Sequence, residues 1–137
     1  MSERNFTILN KTITTAESIT TVDYGDIPVS TTGLTVQCAF TVGGGGTTAK
    51  AYLQTTLDNG TTWFDIACFS FTTSSLTNIY NLTSNTAKTT AVVPGNAVLT
   101  ANTVVDGLIG NKLRTRYVTT GTYTGTTTLK VDVHLHN

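Results

Sequence analysis

The chain has 137 residues, eight basic and eight acidic side chains, zero net charge with neutral His, and charged residues at only 12%. That length buries a core as one domain without metals or disulfide staples. The lack of a basic footprint argues against nucleic-acid binding, and no run reaches the ~20 apolar residues of a membrane span.

Threonine stands where charge is missing, at 33 positions, whereas Glu occurs only twice. Thr is β-branched, stiff in helices and well suited to a pleated surface, so the composition predicts an all-β protein. The start, Met-Ser-Glu-Arg-Asn, carries no apolar signal core, and folding in a cytoplasm is expected. Asn-x-Thr sequons at Asn5, Asn10, Asn59 and Asn81 occur about as often as this Thr content produces by chance.

In chain order, residues 1–15 are polar with weak alternation at Phe6 and Ile8, and fit either a first strand or an extended N-terminal arm. A single sandwich domain is expected over 16–137. A strand over Ile19–Tyr24 precedes a turn at Gly25-Asp26-Ile27-Pro28. The next, Leu34–Val42, places its apolar residues at every second position and so on one face. Four glycines, Gly43 to Gly46, end it as a flexible turn. Ala49–Leu57 and Trp63–Phe71 form a hairpin about Asp58-Asn59-Gly60, where Asn-Gly tolerates the positive φ of a tight turn. The return strand is apolar on both faces, which predicts a central place in a sandwich or a subunit interface.

Residues 72–87 read as a long Thr/Ser/Asn loop with a short strand at Ile79–Leu82, and Ala91–Val93 as a short strand closed by Pro94-Gly95. The stretch 97–110 is ambiguous. Leu113–Thr119 and Thr127–Leu135 are expected to pair as a hairpin across Thr120–Gly125. Together these give about seven to nine short strands between Gly, Pro and Asn turns, the pattern of an antiparallel two-sheet β-sandwich or jelly roll.

Candidate sites are few. Asp132, His134 and His136 share a face of the last strand and are the best metal candidate. A solvent-facing strand explains the same alternation, so no metal and no cofactor is expected. Cys38 and Cys68 could pair if their strands are neighbours, but a cytoplasmic chain favours two buried free thiols, and no positioned base accompanies either for a nucleophilic role. Asp58 is expected to open the hairpin turn, and Asp65 to pair with Arg114 or Arg116. No catalytic residues are assigned and no enzyme is expected. Trp63, Tyr52, Tyr117 and Tyr123 could make a sugar-stacking platform, but aromatics of this kind serve cores and interfaces more often. Trp63, Phe69, Phe71 and Tyr52 are the expected interface residues.

Two stretches carry a resemblance: Ala51-Tyr52-Leu53-Gln54-Thr55-Thr56-Leu57-Asp58-Asn59-Gly60-Thr61-Thr62-Trp63-Phe64-Asp65-Ile66-Ala67, and Leu113-Arg114-Thr115-Arg116-Tyr117 through Thr122–Thr127 to Val131-Asp132-Val133-His134. Together they resemble small β-sandwich structural proteins of tailed bacteriophages. The resemblance implies a non-enzymatic virion component, foremost a capsid decoration or cement protein. Its implied partners are the major capsid protein and further copies of itself, as in a trimer, with no nucleic acid and no membrane. A tail, baseplate or head–tail joining protein, or a receptor- or carbohydrate-binding module, is the alternative. The polar first 15 residues would then act as an arm that orders on a neighbour.

Overall fold

The computed structural model describes residues 4–93 and 95–136. Its described residues are all-β, with eleven strands in antiparallel sheets. They are β1 (Arg4–Thr12), β2 (Thr20–Asp26), β3 (Gly33–Thr41), β4 (Gly44–Gly45), β5 (Thr48–Thr56), β6 (Phe64–Phe71), β7 (Leu76–Thr83), β8 (Thr103–Val104), β9 (Lys112–Thr120), β10 (Tyr123–Thr124) and β11 (Thr128–His136). The first sheet has the order β1-β11-β3-β7 and the second β2-β9-β5-β6-β8. They pack face to face as a sandwich.

Alternation along the strands decides what lies between the sheets. Leu34, Val36, Cys38 and Phe40 of β3 are buried, as are Leu129, Val131, Val133 and Leu135 of the neighbouring β11. Aromatic rings clamp the layers together. Phe6 stacks on Tyr24 between β1 and β2, Phe40 on Phe71 between β3 and β6, and Phe69 on Tyr80 between β6 and β7.

Threonine is not confined to the surface. Thr55, Thr56, Thr115, Thr119 and Thr127 are buried, and each hydroxyl is hydrogen-bonded. Thr55 accepts from the Gly110 N–H and donates to the Lys112 carbonyl. Thr119 accepts from the Glu17 N–H, and Thr127 from the Gly43 N–H. A Val at these positions would fill the same space and leave loop main-chain groups without partners.

Several sequence expectations are corrected. The segment 4–12 is not an extended arm. It is β1, paired along its length with β11 and carrying buried Ile8 and Leu9. Adjacent residues are both buried because a bulge interrupts the register between Thr7 and Leu9. Residues 1–3 of the expected arm, and Pro94, lie outside the described residues. The short strand expected at Ile79–Leu82 is part of the longer β7, which takes up eight residues of the expected 72–87 loop, whereas Ala91–Val93 forms no strand.

The expected C-terminal hairpin does not exist either: β9 belongs to the second sheet and β11 to the first. The chain changes sheets at 121–127, and it does so again between β3 and β5 at the glycine run. The two corners meet, with β4 paired to β10. The glycines are therefore a site of close approach and not a loose turn. Gly46 has φ +80, and a Cβ there would enter the ring of Tyr123. Gly46→Ala combines a left-handed backbone with an overlap, and should cost about 2–4 kcal/mol. Thermal unfolding followed by circular dichroism should show a clearly lowered midpoint.

Candidate functional site

Part of the outer face of the second sheet, over β5 and β6, is covered by the chain itself. Tyr52, Gln54, Asp65 and Cys68 point away from the sandwich core yet are buried. What lies against Gln54, Asp65 and Cys68 is the 95–102 segment, part of the long connection from β7 to β8. Asp65 fixes it. Its Oδ1 accepts from the Ala97 N–H and its Oδ2 from the N–H groups of Val98 and Leu99, at 2.8, 2.8 and 3.0 Å. The Asp65 N–H in turn donates to the Gly95 carbonyl. Ala97 adopts φ 64, which turns successive N–H groups inward toward the carboxylate.

A polar chain continues from there across the strands. Gln54 donates to Asp65 and to Asn96, and accepts from Arg114 Nε at 2.7 Å. Asn96 also accepts from Arg116 Nη1 at 2.6 Å. The Arg114 guanidinium lies 4.1 Å from the centre of the Trp63 ring, whose Nε1 donates to the Gly60 carbonyl. Burial, then the neighbouring Arg116 charge, lowers the Arg114 pKa. Asp65 is thus joined to Arg114 through Gln54, and not by the direct ion pair expected. Trp63, Arg114, Lys112 and Asp23 border a cleft of about 280 Å³, where Lys112 is paired with Asp26 at 3.1 Å.

A larger groove, about 450 Å³, runs over the outer face of the first sheet. Three adjacent strands supply Asn5 and Thr7, Asp132 and His134, and Thr35 and Gln37, and Ile79 of β7 forms its apolar side. Register explains the grouping, because Asn5, His134 and Thr35 lie in one cross-strand row and Thr7, Asp132, Gln37 and Ile79 in the next. Asp132 accepts from the Thr7 hydroxyl and lies 3.8 Å from Lys130. His136 is hydrogen-bonded to Thr35, and His134 to Asn5. Amide, hydroxyl, carboxylate and imidazole groups at fixed spacing can hydrogen-bond a polar ligand or chain laid across the strands.

The candidate residues fall out as follows. Asp132, His134 and His136 share the expected face, but each is engaged with a neighbour. Among the described residues no group of three or more His, Cys, Asp or Glu is arranged to hold a metal ion. Cys38 and Cys68 are buried free thiols, and burial raises the pKa of both. Of the expected interface residues, Phe69 and Phe71 belong to the core, Tyr52 is buried beside Cys68, and Trp63 is half-buried against Arg114. Tyr117 and Tyr123 are also buried, bonded to Glu17 and the Thr72 carbonyl, so the four aromatics form no stacking platform. Of the two places expected for a strand apolar on both faces, β6 takes an interior one between β5 and β8, and its outer face, carrying Asp65 and Cys68, is covered from within the chain. The composition of 95–102 gave no sign of it. Buried Asp65 between Phe64 and Ile66 was the available signal, since an interior carboxylate must find donors.

Compared with family models, curated proteins and solved structures, the chain matches none.

Asp65→Ala would leave a set of interior N–H groups unpaired. It should cost about 3–5 kcal/mol and lower the unfolding midpoint by about 10–15 °C, while hydrogen exchange at Ala97–Leu99 accelerates. A second expectation concerns acid. Asp58 accepts from the N–H groups of Thr61 and Thr62, and these bonds, Thr62 foremost, pull its carboxyl from 3.8 to about 2. A carboxyl depressed in the folded state adds stability above its unfolded pKa and loses it as pH falls through the folded one. Denaturant unfolding of Asp58→Asn should therefore show a shallower loss of stability than the parent chain between pH 3.8 and about 2.

Proposed function

We propose that this chain is a non-enzymatic structural subunit of a tailed-phage virion, a decoration or cement protein seated on the outer capsid. One observation supports the reading above others. The two stretches that carry the resemblance are not separate hairpins, because β5 pairs with β9 along its length and with β6 on its other side. The Gln54–Arg114 hydrogen bond and the Arg114–Trp63 contact tie the same stretches together through side chains. The first stretch and the Leu113–Tyr117 part of the second therefore share one sheet, while Val131–His134 lies on β11 of the sheet packed against it.

A mechanical role fits such a body. The sandwich has its long connection fixed at Asp65 and its corners paired at β4 and β10, so it transmits load between two contacts without rearranging. The major capsid protein is the partner in this reading, and bridging adjacent capsomers raises the free energy needed to separate them. The N-terminal segment is no longer the contact element, because β1 is built into the first sheet. The outer face of that sheet, with its polar groove, is the surface we assign to the particle.

The groove also favours a second reading, a receptor- or carbohydrate-binding module, since its amides, carboxylate and imidazole suit a polyhydroxylated ligand. Quantitative mass spectrometry of purified particles separates the readings. Decoration predicts copies comparable in number to the major shell protein. A small multiple of a ring symmetry would move the chain to a vertex, neck or tail. Absence from particles would overturn the virion reading and leave glycan binding at the groove to be tested.

A further inference from the structure

The free edges of the two sheets are not treated alike. On β1 the edge is broken by a bulge between Thr7 and Leu9 and carries Arg4 and Lys11. On β2 it is broken between Asp23 and Gly25, where Gly25 has φ +110, and carries Asp23 and Asp26. Beside β6, the short β8 and the 95–105 segment occupy the edge, through Gly95, Asn102 and Val105. Bulges, charges and covering segments are the devices that stop a sheet edge from pairing with another chain.

The remaining edge, β7, has none of them over Leu76–Leu82. Its sequence, Leu-Thr-Asn-Ile-Tyr-Asn-Leu-Thr, contains no charge, Pro or Gly, and it pairs with β3 without a register shift. Its exposed residues include Leu76 and Ile79, at 53% and 57%.

The direction of its main-chain groups follows from its C-terminal end. The Ser84 N–H donates to the Thr32 carbonyl, so even-numbered residues face β3. Thr83 faces the other way: its N–H donates to Asp106 Oδ1, and its carbonyl accepts from the Gly107 N–H. In an antiparallel ladder both groups of a residue point to the same side, and the side alternates. Thr77, Ile79 and Asn81 therefore present their N–H and C=O groups outward, and among the described residues nothing bonds them there.

We infer that β7 is a homodimerisation edge, pairing antiparallel with β7 of a second copy about a two-fold axis at Ile79. The register is dictated by which groups are open. With Ile79 opposite Ile79 of the other copy, Thr77 falls opposite Asn81, and every outward N–H and C=O of the three residues finds a partner. A shift of two residues one way would spend Thr77 on Thr83, which Asp106 and Gly107 already occupy. The opposite shift would set Asn81 against Ser75, beyond the end of β7. The same register brings Leu76 beside Leu82 and Ile79 beside its own copy, with no charges facing each other. Two four-stranded sheets become one continuous sheet, and Ile79 sets the two grooves side by side across the axis. The inference goes beyond the virion reading and stands without it; a two-fold pair also differs from the trimer that the resemblance suggested.

Analytical ultracentrifugation over a wide concentration range, joined with amide hydrogen exchange on the full chain, tests this. The expected result is a reversible species of twice the 14.5 kDa chain mass. Exchange at Thr77, Ile79 and Asn81 should slow as concentration rises, while β1 and β2 stay unchanged. Ile79→Lys sets two like charges on the axis at an exposed position. It should sediment as a single chain with an unaltered unfolding midpoint, and Asn10→Lys on β1 should leave the dimer intact. A parent chain that stays single at every concentration overturns the inference. So does an oligomer that survives Ile79→Lys, or one whose Thr77, Ile79 and Asn81 amides remain unprotected.

Discussion

The carboxylate of Asp65 is the constraint on which most of the second sheet depends. It is 5% exposed and satisfied by three main-chain N–H groups and the Gln54 amide. An interior carboxylate costs several kcal/mol in lost hydration, and hydrogen bonds to a charged acceptor are worth about 1.5–3 kcal/mol each. The balance is favourable only while the 95–102 segment stays in place. Asp65 and that segment therefore require each other. Once docked, the segment covers part of the outer face of β5 and β6, where Gln54 and Cys68 are buried.

The first sheet is organised on the opposite principle. Its inner face is a run of alternating aliphatic residues, and its outer face stays polar and uncovered, forming the groove of Asn5, Thr7, Thr35, Gln37, Asp132 and His134. One sheet has thus used part of its outer surface to bury a connection, while the other leaves its polar surface open. The asymmetry extends to the edges, where bulges and charges guard β1 and β2 and the connection guards β6. Only β7 offers an unbroken, uncharged row of main-chain groups among the described residues. The groove and the open edge meet at Ile79, which lines one and centres the other.

Threonine links the composition to this architecture. A chain so poor in charge still has to satisfy the polar groups of every loop that turns a corner. Buried hydroxyls on β5, β9 and at the start of β11 do so, reaching Gly110, Lys112, Glu17 and Gly43. The β-branched shape suits the strand, and the hydroxyl holds the loop beside it. The reading of Thr as a strand former was sound, but its second use as an internal tie required knowing which strand ends lie near which loops.

Local chemistry determined the β class, the faces of β3 and β11, the Asn-Gly turn and the buried thiols, because alternation and turn geometry act over a few neighbouring residues. It marked only Ile79–Leu82 of β7, whose Asn and Thr content leaves the full length of the strand to be set by pairing with β3. Nor did it separate β9 from β11: two alternating strands joined by a Gly-containing turn look alike whether the chain returns to the same sheet or crosses to the opposite one. That choice rests on contacts far apart in sequence, the pairing of Gly44 and Gly45 with Tyr123 and Thr124, and the fit of Gly46 against the Tyr123 ring. Strand identity is a short-range property of this chain. Sheet membership, the covering of β6 and the exposure of one edge were decided by tertiary structure, because only there do main-chain groups and buried charges find the partners they need.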